Sequence, residues 1–324
     1  MAVRRSVFLL MFVLLLFAFL GNAQNAQSQF DERRRGELTP LMLPGGGTVE
    51  FSSYDSACLG GKEYFSIFLP PSYAKDPSRT YPVVYFLHGL NNDYTSWTVD
   101  RYGSIQNRVE ELILSNKTPE FIMVHPDGDA SFYSNSADGS KKYEDLITGE
   151  LIKYMENNYR AKKGRENRSI GGTSMGGFGA LKVAMKHPDL YAATAGDSPI
   201  IFLGKNPLDV PEQMKQARFY QFFQNLLQSI FGNPFNEELW AANNPLVLAK
   251  SGKLNGLKIY FDYGTEDRYI RDFRLDEGAK ALDKILTEAN VPHTFKVRQG
   301  EPHGWALVAA HLQESIEFLT QTFK

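Results

Sequence analysis

The stretch Arg168 to Ala180 reads RSIGGTSMGGFGA and sets one serine, Ser174, among five glycines. A serine hydroxyl is a weak nucleophile until a base takes its proton, so a reactive serine needs a histidine in reach and a carboxylate to orient that histidine. Gly172-Thr173-Ser174-Met175-Gly176 fits G-x-S-x-G, the pattern of a tight strand-to-helix turn that holds its serine in a strained backbone conformation. Glycine at the flanks leaves room for neighbouring backbones. An acid and a histidine then follow in the order such sites use, Asp267 in KIYFDYGTEDRY and His303 in TFKVRQGEPHGWALV. In this reading Asp267 orients His303, and His303 takes the proton of Ser174. Glu266 stands next to Asp267 as the alternative acid, while Asp262 falls earlier, within the strand. Negative charge developing on an ester oxygen calls for two backbone N–H donors. Met175, directly after the serine, and Leu90, after Gly89 in VVYFLHGLNNDYTSW, are the candidates.

These residues need a frame that brings them together. EYFSIFLP, YPVVYFLHG, EFIMVHPDG and LKIYFDYG are apolar, aromatic and β-branched runs closed by proline or glycine, and they read as strands. Between them, Ile147, Leu151, Tyr154 and Met155 share a helical face, as do Leu282, Ile285, Leu286 and Ala289, and later Val308, Leu312, Ile316, Leu319 and Phe323. Continuous apolar strands separated by amphipathic helices predict an α/β fold with a mostly parallel central sheet and helices on both faces. RSIGG reads as a strand ending and MGGFGALKVAMKH as a helix stopped by Pro188, so Ser174 falls on the turn between them. Among the other histidines, His187, His293 and His311 sit where helix ends and packing explain them, and His88 and His125, at strand ends, are expected at the rim of the site.

The whole chain sets limits on function. Its 324 residues are 43% hydrophobic and 22% charged, with a net charge of −2, which gives no electrostatic basis for binding nucleic acid. Arg4 and Arg5 precede a fourteen-residue apolar run, Val7 to Leu20, and small residues follow in Gly21-Asn22-Ala23. This is the pattern of an export signal over residues 1–23, too short for a comfortable membrane span of about 20 residues. The expectation is a secreted or periplasmic protein with no stable membrane insertion after cleavage; an uncleaved anchor is the alternative. Residues 24–47 read as an extended lead-in and 48–324 as one catalytic domain. Cys58 is the sole cysteine, so an intrachain disulfide and a thiolate metal cluster are both excluded.

Taken in chain order, FLPPSYAKDPSRTYPVVYFLHGL, SFYSNS, DLITGELIKYMENNYR, GGTSMGGFGAL, YGTED and PHGW resemble the esterase D-like branch of the α/β-hydrolases, from about Thr48 to the C-terminus. That branch includes feruloyl and other carbohydrate esterases, S-formylglutathione hydrolases, enterobactin-type siderophore esterases and mycolyltransferases. The resemblance implies an α/β-hydrolase fold with Ser174 as nucleophile, Asp267 as acid, His303 as base, and Leu90 and Met175 as oxyanion donors, with no metal and no organic cofactor. It implies a serine esterase of carboxylic esters, of feruloyl or acetyl type, on carbohydrates or other polar alcohols. An acyltransferase of the mycolyltransferase type and a non-catalytic binding module are the alternatives. A helical insert at about 201–248, before the acid-bearing strand, is dense in aromatic residues and reads either as a small core of its own or as a cap over the acyl group. Tyr133, Trp240 and Trp305 are the candidate substrate contacts.

Overall fold

Alternating strands and helices collapse here because the central strands are buried on both faces, so layers must cover the sheet from both sides. The computed structural model of the protein describes residues 38–99, 104–210, 212–216 and 218–323. The expected signal, residues 1–23, and most of the lead-in lie outside them. Nine strands form one sheet: β1 (Leu41–Met42), β2 (Thr48–Ser56), β3 (Gly61–Leu69), β4 (Val83–Leu87), β5 (Ile122–Pro126), β6 (Arg168–Thr173), β7 (Ala193–Asp197), β8 (Lys258–Gly264) and β9 (His293–Arg298). Their order across the sheet is β1-β2-β3-β5-β4-β6-β7-β8-β9. From β5 to β9 every pairing is parallel, and β1, β2 and β3 add antiparallel strands at one edge. The mostly parallel sheet expected from the apolar runs is what forms, and the end of the lead-in contributes β1, paired with β2.

The two faces of the sheet are read directly from alternation along β4. Val83, Tyr85 and Leu87 join one buried cluster, and Val84 and Phe86 join the other. The second face is covered by α1 (Ile105–Leu114), through Val109 and Ile113, while the first is covered by α2 (Leu151–Asn158) and α3 (Met175–Lys186). Residues of the insert form α4 (Arg218–Phe231) and α5 (Glu237–Ala241), after which α6 (Pro245–Lys250) leads to β8. Beyond β8 come α7 (Arg268–Phe273) and α8 (Leu275–Glu288), and α9 (Trp305–Thr320) closes the second face with Val308, Leu312, Ile316 and Leu319. Phe202, Phe223, Phe231 and Trp240 are buried; Phe202 and Phe223 pack against Phe132, Trp240 against Phe178, and Phe231 against Trp240. They join the same buried cluster as Val83, Tyr85 and Leu87, so these aromatic residues extend the core on that face of the sheet.

One buried charge cluster ties the segment after β5 to α3. Lys182 is fully buried, and its ammonium donates to the Tyr133 carbonyl at 2.5 Å, to Ser134 Oγ at 3.0 Å and to Glu144 Oε2 at 3.0 Å. Glu144 also accepts from Lys186 at 2.7 Å and lies 3.0 Å from His187 Nε2. Burial works against the Glu144 carboxylate, but Lys182, His187 and Lys186 together outweigh it and hold the group well below the usual carboxylate range. Lys182 fares differently: burial costs its ammonium more than Glu144 returns, and it is pushed down to about 8.

Because the folded-state pKa of Glu144 is depressed, its stabilisation is fully present above the unfolded carboxylate value and is lost as pH falls toward the folded one. Glu144→Gln strands the buried ammonium and is expected to lower stability by about 3–5 kcal/mol at neutral pH. The gap between variant and wild type should narrow on acidification. Thermal melts across that range check both statements, and a variant as stable as wild type at neutral pH would contradict them.

Candidate active site

Ser174 follows β6 and precedes α3, and its backbone sits at φ 58° and ψ −118°, a left-handed conformation unfavourable for a residue with a side chain. The surrounding glycines show what sustains it. A Cβ on Gly172 would lie 2.5 Å from the Gly176 carbonyl oxygen, and one on Gly176 would lie 2.1 Å from the Leu87 carbonyl oxygen. Backbone from β4 and from α3 therefore meet with no room for a methyl group. The Ser174 N–H donates to the Asp197 carbonyl at 2.9 Å, which ties the turn to β7.

The loop after β9 brings His303 over this turn. Its Nε2 lies 2.8 Å from Ser174 Oγ, and its Nδ1 lies 2.5 Å from Asp267 Oδ2. The other Asp267 oxygen accepts from the Tyr269 N–H at 2.9 Å, as the cap of α7, so the carboxylate is held at both ends. Asp267 is buried, whereas the neighbouring Glu266 is exposed. Of the two acids in the loop, Asp267 is the one in reach of His303. Asp262 lies within β8, where it binds Arg298 and Tyr260. The ring of Tyr269 stands against His303 at 4.5 Å between centroids, at 86°. A residue outside the motif thus walls the imidazole, and only its position two residues after Asp267 could have flagged it.

The candidate oxyanion donors lie on the two turns that face the serine. Met175 is the first residue of α3, where no carbonyl one turn earlier is available to its N–H. A Cβ on Gly89 would lie 3.2 Å from Ser174 Cβ, so the Gly89–Leu90 peptide borders the nucleophile. That peptide is oriented by its carbonyl. The Gly128 N–H donates to His88 Nε2 at 2.8 Å, which leaves the proton on Nδ1 to donate to the Gly89 oxygen at 2.9 Å. The Asn92 N–H donates to the same oxygen at 3.1 Å. In a trans peptide the N–H points opposite to the carbonyl, so both bonds turn the Leu90 N–H the other way.

Several expected contacts belong elsewhere. His88 is buried behind the turn and does not stand at the rim, and His125 is buried and stacked on Trp97. Burial pushes His125 down to about 3, so it stays neutral. Tyr133 is also fully buried, with its hydroxyl donating to the His88 carbonyl at 3.1 Å and its ring under Gly128 and Gly179. Trp240 is fully buried against Phe178. Both rings are enclosed by neighbouring side chains and backbone in the fold. Trp305, half-buried and two residues beyond His303, binds Asn92 of the loop after β4. His187, His293 and His311 pair with Glu144, Asp283 and Glu301 respectively. Cys58 is partly buried, and burial followed by Glu150 pushes its thiol up to about 11.

Beneath the elbow, Asp197 Oδ1 accepts from Ser315 of α9 at 2.6 Å, while its Oδ2 is buried without a partner. Burial first, and the Asp262 carboxylate second, raise Asp197 well above the usual carboxylate range.

Residues 56–315 match the family model described as Esterase, putative esterase. The chain belongs to this esterase family, and its fold is that of the α/β-hydrolases. The esterase Rv1288 of Mycobacterium tuberculosis is 32% identical over 149 residues, a segment covering 45% of this chain and 31% of that protein. The chain therefore matches less than a third of the length of that curated relative. Among solved structures, a ferulic acid esterase superimposes with a TM-score of 0.68 at 24% identity, over 86% of this chain and 99% of its own. The S-formylglutathione hydrolase of Agrobacterium tumefaciens gives a TM-score of 0.70 at 18% identity, over 89% and 99%. At these identities the structures share the fold.

The elbow and the buried acid each generate an expectation. Gly176→Ala should unfold or severely destabilise the protein, since the clash is with backbone, whereas Gly61→Ala, with nothing near its added Cβ, should change stability by no more than about 0.5 kcal/mol. Equal stabilities in denaturant titrations would refute the close approach at the elbow. For Asp197 the folded pKa is raised, so its contribution is complete below the unfolded value and is lost as pH rises. Asp197→Asn, an isostere of the protonated form, should gain in Tm relative to wild type as pH rises above about 4, the unfolded carboxylate value. A constant difference would mean that Asp197 is ionised in the fold.

Proposed function

We propose that the protein is an exported serine esterase that hydrolyses carboxylic esters of polar alcohols, sugars foremost, through an acyl-enzyme on Ser174. The observation that carries this reading is the continuous hydrogen-bonded line from Ser174 Oγ through His303 to Asp267 at a strained strand-to-helix turn. In the proposed reaction His303 takes the Ser174 proton as the oxygen attacks the ester carbonyl. Charge then gathers on the carbonyl oxygen, and the N–H groups of Leu90 and Met175 bind it in a site that needs no reorganisation. Collapse expels the alcohol, which leaves with the proton carried by His303. Water repeats the sequence on the acyl-enzyme, releasing the acid and restoring the serine. Asp267 keeps the imidazole in the right tautomer and stabilises its positive form without taking the proton itself.

Export and the choice of alcohol rest on the apolar segment Val7 to Leu20 and on the resemblance to carbohydrate esterases. The ferulic acid esterase of the same fold supports an aromatic acyl group as a candidate.

Ser174→Ala should remain folded and lose a factor on the order of 10⁶ in turnover, as in the comparable subtilisin series. Asp267→Asn should be damaged less severely, and Glu266→Gln little. A panel of acetyl, medium-chain, long-chain and feruloyl esters, each run with and without a sugar acceptor and read by product mass, tests the substrate. Free acid dominating throughout supports hydrolysis. Acylated sugar dominating at modest acceptor concentration would replace it with acyl transfer, and full turnover in Ser174→Ala would reject the mechanism.

A further inference from the structure

The two halves of the site come from distant parts of the sheet. Leu90 follows β4, and His303 follows β9 at the sheet edge, four strand steps away. At about 4.8 Å per step this is roughly 19 Å at the level of the strands, so the loops must lean toward each other above them. On its outer side the His303 loop is fastened to the acid-bearing turn: the Glu266 N–H donates to the Glu301 carbonyl at 3.0 Å, and the Gly300 N–H donates to Thr265 Oγ1 at 2.9 Å. On its inner side the described residues include a side-chain hydrogen bond between the two loops. The indole N–H of Trp305 donates to Asn92 Oδ1 at 3.1 Å, across 213 positions of sequence.

Asn92 is placed to make that bond matter. Its own N–H donates to the Gly89 carbonyl, which lies opposite the Leu90 N–H in the same peptide. One residue therefore holds the oxyanion peptide with its backbone and the base-bearing loop with its side chain. The indole is itself fixed, its ring standing 4.4 Å from that of the buried Trp97 at 80°. Trp97 belongs to the same loop as Asn92, so ring packing and the hydrogen bond join the same two segments.

We infer that Asn92 and Trp305 form a latch that sets the distance between the oxyanion donor Leu90 and the base His303, making both positioning residues of the reaction centre. The need is physical. In the attack step negative charge grows on the carbonyl oxygen while positive charge grows on the imidazole, and misplacement of either partner by about 1 Å can cost as much as 10²-fold in rate. A bond between the two loops restrains both partners together. It acts on the transition state more than on substrate binding, so kcat should fall while KM stays nearly constant.

This inference rests on the esterase reading above, and a double-mutant cycle tests it. Trp305→Phe keeps the ring against Trp97 and removes the N–H; Asn92→Ala removes the acceptor. Each should lower kcat by about tenfold, the scale of one hydrogen bond, with KM and Tm little changed, and the double variant should be no slower than either single one. Losses that multiply in the double variant, or no loss in either single variant, would overturn the latch. If Trp305→Phe fails to fold, the rate at which a fluorophosphonate labels Ser174 in Asn92→Ala decides: slower labelling supports the latch, and an unchanged rate overturns it. Ser174→Ala is the control that separates the two readings. If that variant is inactive while the latch variants are unaffected, the latch alone fails; if it stays active, the esterase reading fails first.

Discussion

The close approach of β4 and α3 at Gly176 is the constraint on which the site depends. With the Leu87 carbonyl oxygen 2.1 Å from where a Cβ on Gly176 would stand, the first turn of α3 lies directly on the end of β4. That contact puts the N–H of Met175 and the Gly89–Leu90 peptide beside one another, although 85 residues separate Leu90 from Met175. It also leaves Ser174 no relaxed backbone conformation. Its φ of 58° is maintained because β6, β7 and α3 determine the turn from both sides, the Ser174 N–H being bound by the Asp197 carbonyl.

Around this contact the parallel sheet works as a ruler. Strands β4, β6, β8 and β9 all end at the same edge, and each delivers one part of the proposed centre: the candidate oxyanion peptide, nucleophile, acid and base. The parts are then corrected by short hydrogen bonds between loops. His88 fixes the plane of the Gly89–Leu90 peptide, Tyr269 fixes the carboxylate of Asp267, and Asn92 joins the oxyanion loop to the base loop. None of these three residues meets the ester in the proposed reaction. Each spares a reacting group the reorganisation that solvent would otherwise demand.

Charge is buried nearby, where it organises the scaffold. Lys182, on α3, and Glu144 hold the segment carrying Tyr133 and Ser134 against the elbow helix, and Asp197 links β7 to α9 through Ser315. Such groups are costly unless satisfied, which makes their geometry specific. Lys182 is satisfied by three oxygens. The Oδ2 of Asp197 is buried without a partner, and burial together with the Asp262 carboxylate raises its pKa.

Much of this was legible in the sequence, since its signals are local. Apolar runs, glycine spacing and the order of Ser174, Asp267 and His303 determined a parallel α/β sheet, an elbow and a candidate triad, because a strand's two faces and a turn's steric demands are written in consecutive residues. The sequence reading preferred Asp267, with Glu266 as the alternative, and the fold gives the physical difference between them: the α7 cap turns Asp267 inward against His303 and leaves Glu266 exposed. Packing alone decided that Tyr133 and Trp240 are buried, since an aromatic ring suits a core and a binding wall equally well. Tyr269 beside His303, His88 beneath the oxyanion peptide and the bond between Asn92 and Trp305 were settled by tertiary structure, because they join residues through space and leave no periodicity along the chain.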